Sequence, residues 1–221
     1  MINELIFITH SLIISIFALI ALRLGKEALI GFISVTCILA NLFVIKQTTL
    51  CTLTATCSDA YSIGAVLGLN LLQEYYGRDI GKKAIWISFF LLIFYGIVTQ
   101  IHLAYIPSNC DLAQHSYAAI LEMMPRIVIA SFSVYLFVQH IDSWLYAWLK
   151  QRLGSRYLVI RNYLSIGICQ WLDTALFSLL GLYGLVENIW HVIAISYAVK
   201  LIAIVLATPC IALSKKIVSK Q

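Results

Sequence analysis

Residues 84–105 read AIWISFFLLIFYGIVTQIHLAY, a run without a single Asp, Glu, Lys or Arg. A helix needs about 20 such residues, at 1.5 Å rise each, to cross the hydrocarbon of a bilayer. Outward from it, comparable stretches lie near 4–22, 28–46, 52–75, 126–149, 160–183 and 189–213, the third of them polar at its start. Each is expected to be helical, because lipid offers backbone N–H and C=O groups no outside partner. Of the 221 residues 62% are hydrophobic and 11% charged, against roughly 25% charged in soluble domains. A soluble fold of this length cannot hide that much apolar surface. No Pro/Gly/Ser-rich or charged linker interrupts the spans, so the chain reads as one all-α membrane protein, a bundle of about seven transmembrane helices.

The net charge of +5 does not mark a nucleic-acid surface, since the basic residues fall in short clusters between spans. In a seven-helix arrangement, Arg23, Lys26, Arg78, Lys82, Lys83, Lys150, Arg152, Arg156, Arg161, Lys215, Lys216 and Lys220 share one side. Lys46 and Arg126 stand on the other and Lys200 lies inside a span. The positive-inside rule then puts the N-terminus outside and the C-terminus in the cytoplasm. Residues 5–22 are not expected to be a signal peptide, because Met1-Ile2-Asn3-Glu4 carries no basic residue before the apolar run. The six cysteines, Cys37, Cys51, Cys57, Cys110, Cys169 and Cys210, form no CxxC pair, and neither a metal nor a redox cofactor is indicated. A disulfide among Cys51, Cys57 and Cys110 stays open.

Ionisable groups inside a span are costly and face a cavity or a partner, so each is a candidate site. Asp173 and Lys200 lie about 20 Å from the cytoplasmic ends of their helices, close enough in depth to pair. A structural ion pair is the bland alternative. Gln139-His140-Ile141-Asp142 and Gln170-Trp171-Leu172-Asp173 repeat a Q-x-x-D that sets amide and carboxylate on one helix face. On antiparallel neighbours, Gln139 and Gln170 are expected at similar depth, forming a polar chamber; interhelical hydrogen bonding is the alternative. Asn41 and Asn70 lie within spans, Asp59 toward the outer side, and Glu74 at the cytoplasmic boundary, where an i+4 pair with Arg78 also accounts for it. Trp171 and Phe177 flank Asp173, either as packing residues or as stacking partners for a planar ligand. His10, alone on an apolar helix, is expected to be satisfied locally.

Ala40-Asn41 with Lys46, Glu74-x-Tyr76-Gly77, Lys83-Ala84, Pro107-Ser108 with Asp111, and Pro125-Arg126 stand in order along the chain. Gln139 with Asp142, Arg161-Asn162 with Ser165, Gln170 with Asp173-Thr174, and Tyr197 with Lys200 and Thr208-Pro209 complete the series. Together they resemble the queuosine precursor transporter family, also known as the vitamin uptake transporter family, from about residue 28 to the C-terminus. The resemblance implies a six-helix core over 28–221, with 1–27 as an additional N-terminal helix. It implies a multi-pass protein of the bacterial inner membrane that imports 7-deazaguanine bases, prequeuosine bases or queuine, for tRNA wobble modification. Asn70 stands where an aspartate is expected and Asp59 where an amide is, which leaves the preferred precursor open.

A guanine-like edge offers adjacent N–H donors that one carboxylate accepts in parallel, while Gln or Asn serves the neighbouring carbonyl. Asp173 with Gln170 is the choice for that edge, Lys200 the group that keeps Asp173 ionised, and Asp142 or Glu74 the partner of a substrate amine. The implied partners are a small 7-deazaguanine derivative and the lipid bilayer, without nucleic acid directly, and a homodimer is compatible with the sequence. An intramembrane enzyme finds no support: no GxSxG turn or HExxH is present. Two rivals remain, a membrane subunit of a modular vitamin importer driven by a separate ATPase and a carrier of another small heterocyclic vitamin. The chain has no Walker A sequence of its own.

Overall fold

The computed structural model describes residues 2–153 and 158–218. Seven long helices dominate: α1 (Ile2–Leu24), α2 (Lys26–Phe43), α3 (Asp59–Tyr76), α4 (Arg78–Leu103), α6 (Met124–Leu153), α7 (Leu158–Phe177) and α8 (Ile189–Val218). A short helix, α5 (Gln114–Leu121), bridges α4 and α6. Among the described residues, α1, α2, α4 and the stretch Gln114–Asp142 are long and apolar enough to cross a membrane. The side chains of Lys150, Arg152, Arg161, Asn162, Ser165, Thr208, Pro209, Cys210, Lys215 and Lys216 lie outside the described residues, as do Arg156 and Lys220 altogether.

The segment 52–75 is not helical throughout, and the bundle is not purely α. After α2 the chain forms an antiparallel hairpin, β1 (Gln47–Leu50) and β2 (Leu53–Thr56), with Gln47 opposite Thr56. Two residues turn it, Cys51 at φ 49° and Thr52 at φ 70°, the paired positive φ that matches the twist of a tight hairpin. A hairpin is tolerated here because its backbone is covered by protein. Asn3 of α1 donates to the Thr49 carbonyl at 3.1 Å, and the Cys51 N–H donates to the Glu4 carboxylate at 3.0 Å. Gln47 bridges to the α7–α8 loop, accepting from the Glu187 N–H at 2.9 Å and donating to the Leu185 carbonyl at 3.3 Å. Length explains the need: α1 spans about 34 Å and α2 about 27 Å at 1.5 Å per residue, and the hairpin fills the difference.

Apolar packing holds both ends of the bundle. At the end remote from the hairpin, Ala18, Leu22, Leu29, Ile33, Leu67 and Leu71 of α1, α2 and α3 form one buried cluster. Helices α1 and α3 cross there closely enough that a Cβ on Gly64 would run into the Ile14 side chain. Helix α3 stops at Gly77, whose φ of 89° lets its N–H return to the Gln73 carbonyl at 3.1 Å. Near the hairpin, Val44, Leu121, Met124, Ile127, Leu182 and Val192 form a second cluster.

Polar side chains on these helices are mostly satisfied at short range. Ser34 and Ser88 join α2 to α4 at 3.0 Å, and Ser34 and Thr36 also bond carbonyls one turn back in α2. His10 packs edge-on against Tyr61 of α3, with ring centroids 4.8 Å apart, so its partner is on a neighbouring helix. Helix α7 ends in a π-helical segment, Ser178–Leu182. Arg126 donates to the Leu180 and Tyr183 carbonyls at 3.0 and 2.8 Å, neutralising the negative end of that helix. No disulfide joins Cys51, Cys57 and Cys110, whose thiols are separate.

Candidate functional site

Lys200 of α8 donates to Asp173 Oδ2 of α7 at 2.6 Å. The lysine side chain is 16% exposed and the aspartate 33%, and the opening on the carboxylate side is a cavity of about 210 Å³. The cavity is lined by Cys37, Ala40 and Asn41 of α2, Ser58 and Ser62 around the start of α3, and Ser131 and Tyr135 of α6. Phe89 and Phe177 supply aromatic walls. A buried pair contributes little net stability compared with apolar packing, so a pair beside a cavity points to ligand chemistry more than to helix locking.

Asn41 is aimed by its neighbours. Its Nδ2 donates to the Cys37 carbonyl at 2.8 Å and its Oδ1 accepts from Ser131 at 2.6 Å. One amide hydrogen and one lone pair remain for a ligand. Carboxylate, ammonium, carboxamide and flat rings therefore face one small space, a set suited to a planar molecule with adjacent donors and a carbonyl.

A second cavity of about 50 Å³ adjoins the first, sharing Val44, Ser58, Ser62, Phe177 and Lys200. Asp59, only 3% exposed, lines this smaller space together with Thr56, Thr174, Ser178 and Ser196. Among the described residues Asp59 Oδ2 has no hydrogen-bond partner. Leu182 and Val192 of the apolar cluster near the hairpin close it off. Two breaks in regular helix meet here: the hairpin leading into α3 and the π turn ending α7. Such interruptions at membrane depth are where carriers place ligands.

Gln139, Asp142 and Gln170 of the two Q-x-x-D segments do not line this cavity. Asp142 shares an α6 stripe with Ser131, Tyr135 and Val138, but lies about 10 Å deeper than Tyr135, counted at 1.5 Å per residue. There it accepts from the Cys169 thiol of α7 at 3.4 Å. Gln139 sits on an exposed face of α6. Gln170 is one turn below Asp173, where its carbonyl accepts from Thr174 at 2.8 Å. Trp171, 50% exposed, turns away from the cavity that Phe177 lines. Asn70 and Glu74 are eight and twelve positions beyond Ser62, toward the other end of α3. Asp142 and Glu74 are therefore not placed to meet a substrate amine in this chamber, whereas Asp59 adjoins it.

Sequence reasoning missed the hydroxyls. They come as i,i+4 pairs on inward faces: Ser58 with Ser62, Thr174 with Ser178, and Ser131 with Tyr135, while Ser196 pairs with Lys200. A search for polar i,i+4 pairs, rather than for charges alone, would have found them. A larger groove of about 460 Å³ between α4 and α6 is walled by Ile93, Ile97, Ile129 and Phe132. It holds no ionisable side chain, and lipid-facing grooves of this kind need no specific ligand.

Membrane-length helices around a polar, charge-bearing chamber define a multi-pass membrane protein of the small-molecule transporter class. A profile of the family described as "Putative vitamin uptake transporter" matches residues 60–214, from α3 into α8, and the chain belongs to that family. It is 28% identical over 197 residues to the "Probable queuosine precursor transporter" of Bacillus subtilis (strain 168), covering 88% of this chain and 86% of that one. No solved structure matches the chain.

Proposed function

We propose that the protein imports a queuosine precursor, queuine or a 7-deazaguanine prequeuosine base, across the bacterial inner membrane. The observation that carries this reading is Asp173 facing the cavity with its carboxylate bonded to the Lys200 ammonium at 2.6 Å. The amide N–H and exocyclic amine of a guanine-like edge donate in parallel to such a carboxylate. Asn41 serves the neighbouring carbonyl, and Phe177, Phe89 and Tyr135 sandwich the ring. The name of the Bacillus relative supports the same substrate class. In this reading the chain crosses seven times with its N-terminus outside, and α1 is an addition to a six-helix core. Arg23, Lys26, Arg78, Lys82 and Lys83, gathered at the end remote from the hairpin, support that orientation.

The decisive experiment is competition uptake in cells lacking their own synthesis and carrier. Radiolabelled queuine is challenged with each prequeuosine base, and the purified chain in liposomes is tested alone. Uptake blocked by at least one of these bases, and reproduced in liposomes, is expected. Uptake indifferent to all of them, or appearing only with an added ATPase, rejects the reading.

A further inference from the structure

Two carboxylates, Asp173 and Asp59, flank one ammonium, Lys200. The ammonium is bonded to Asp173 at 2.6 Å, while Asp59, the more deeply buried, keeps an oxygen without a partner. An ionised carboxylate in that position, closed off by Leu182 and Val192, would bear a large desolvation cost that hydrogen bonds from Thr56 and Ser196 and the nearby Lys200 ammonium offset only in part, since one oxygen stays without a partner. The same group as a neutral acid needs no counter-ion, and the hydroxyls of Thr56 and Ser196, already hydrogen-bonded to the carboxyl, can accept from its O–H.

We propose that Asp59 is a proton-binding site that couples substrate movement to the proton gradient, with Lys200 as the ammonium that changes partner. With a proton on Asp59, Lys200 belongs wholly to Asp173, which stays ionised and open to the base. When the acid releases its proton, Asp59 becomes a second anion and draws Lys200 toward itself, and Asp173 loses its counter-ion. Base and proton therefore bind together on the side of entry and leave together on the other. One proton is taken from water to the carboxylate and returned to water, and no other bond changes.

The groups around Asp59 fit this assignment. Lys200 of α8 lines its cavity, and Asp173 of α7 lies across that ammonium. Cys57, in the turn between β2 and α3, feels the charges of both Asp59 and Lys46. His191 of α8 and Tyr135 of α6 do not line the small cavity. The inference extends the reading of the substrate site and rests on it for the identity of the transported base alone.

The test uses the full chain. Infrared spectra of ligand-free protein are expected to contain the C=O stretch of a protonated carboxyl that disappears in Asp59→Asn; its absence from the wild-type protein overturns the proposal. In liposomes acidic outside by one pH unit, the wild type is expected to accumulate labelled prequeuosine base about tenfold, one proton per base. Asp59→Asn is expected to equilibrate the base without accumulation, and Asp59→Glu to restore both band and accumulation. Accumulation by Asp59→Asn equal to wild type refutes the coupling role. If the wild type moves no queuosine precursor, the substrate reading has failed, while the infrared comparison still decides the proton site.

Discussion

Asp173→Asn separates a binding carboxylate from a structural one when it is combined with Lys200→Met. Removing one member of a buried pair strands the other, at about 3–5 kcal/mol. Asp173 is one-third exposed to the cavity, so water softens that cost to about 2–3 kcal/mol. Removing both members replaces the pair with neutral groups and is expected to recover all but about 1 kcal/mol, a coupling that a double-mutant cycle measures. Binding follows a different rule. Asparagine presents one acceptor and two donors to an edge that itself donates twice, so two charge-assisted hydrogen bonds worth about 1.5 kcal/mol each are lost. That is about 3 kcal/mol, or roughly a hundredfold in affinity, and the double variant cannot recover it. Thermal unfolding in detergent reads the first quantity, and equilibrium binding of labelled queuine or prequeuosine base the second. A double variant that is stable and binds within about threefold of wild type would sink the reasoning, because the pair would then be a helix lock and no more.

Three further outcomes follow from the same geometry. Gln139→Leu and Trp171→Leu, at positions facing away from the cavity, are expected to leave uptake within about twofold of wild type, and a tenfold loss in either would move the site toward the Q-x-x-D faces. Gly64→Val places a branched side chain against Ile14 and is expected to cost about 1–3 kcal/mol, read as a lowered unfolding temperature; a companion Ile14→Ala should return part of it. A variant retaining Cys110, exposed in the α4–α5 connection, as its sole cysteine is expected to react with a membrane-impermeant maleimide in intact cells. Labelling only after lysis would invert the orientation.

Helix positions were readable because lipid leaves a backbone one solution, and runs such as 84–105 announce it by composition alone. The prediction weakened where the chain turns to protein for cover. Residues 47–56 carry Thr, Leu and Cys in a short alternating pattern, yet the span requirement favoured starting the third helix at residue 52. Their strand pairing depends on Asn3, Glu4 and Gln47 meeting groups far away in sequence, contacts that no local pattern encodes. The Asp173–Lys200 contact was legible by depth because both residues lie at matching heights on adjacent antiparallel helices, where a charge has few partners to choose from.

The Q-x-x-D residues stand apart from the cavity for two reasons, height along the helix for Asp142 and rotation about it for Gln139. Asp142 and Tyr135 share a stripe but differ by about 10 Å in height, and the α6–α7 contact through Cys169 takes up the deeper carboxylate. Gln139, one turn from the hydroxyl-bearing face, is rotated off it. The ligand-sized space opens higher, where the hairpin delays the start of α3 and the π segment widens the end of α7. Each break prevents close helix packing at the level of Asp59, Asn41 and Phe177, and the cavity is the volume that packing would otherwise fill. The site thus follows from irregular backbone, and its charges are placed where that irregularity leaves room for them.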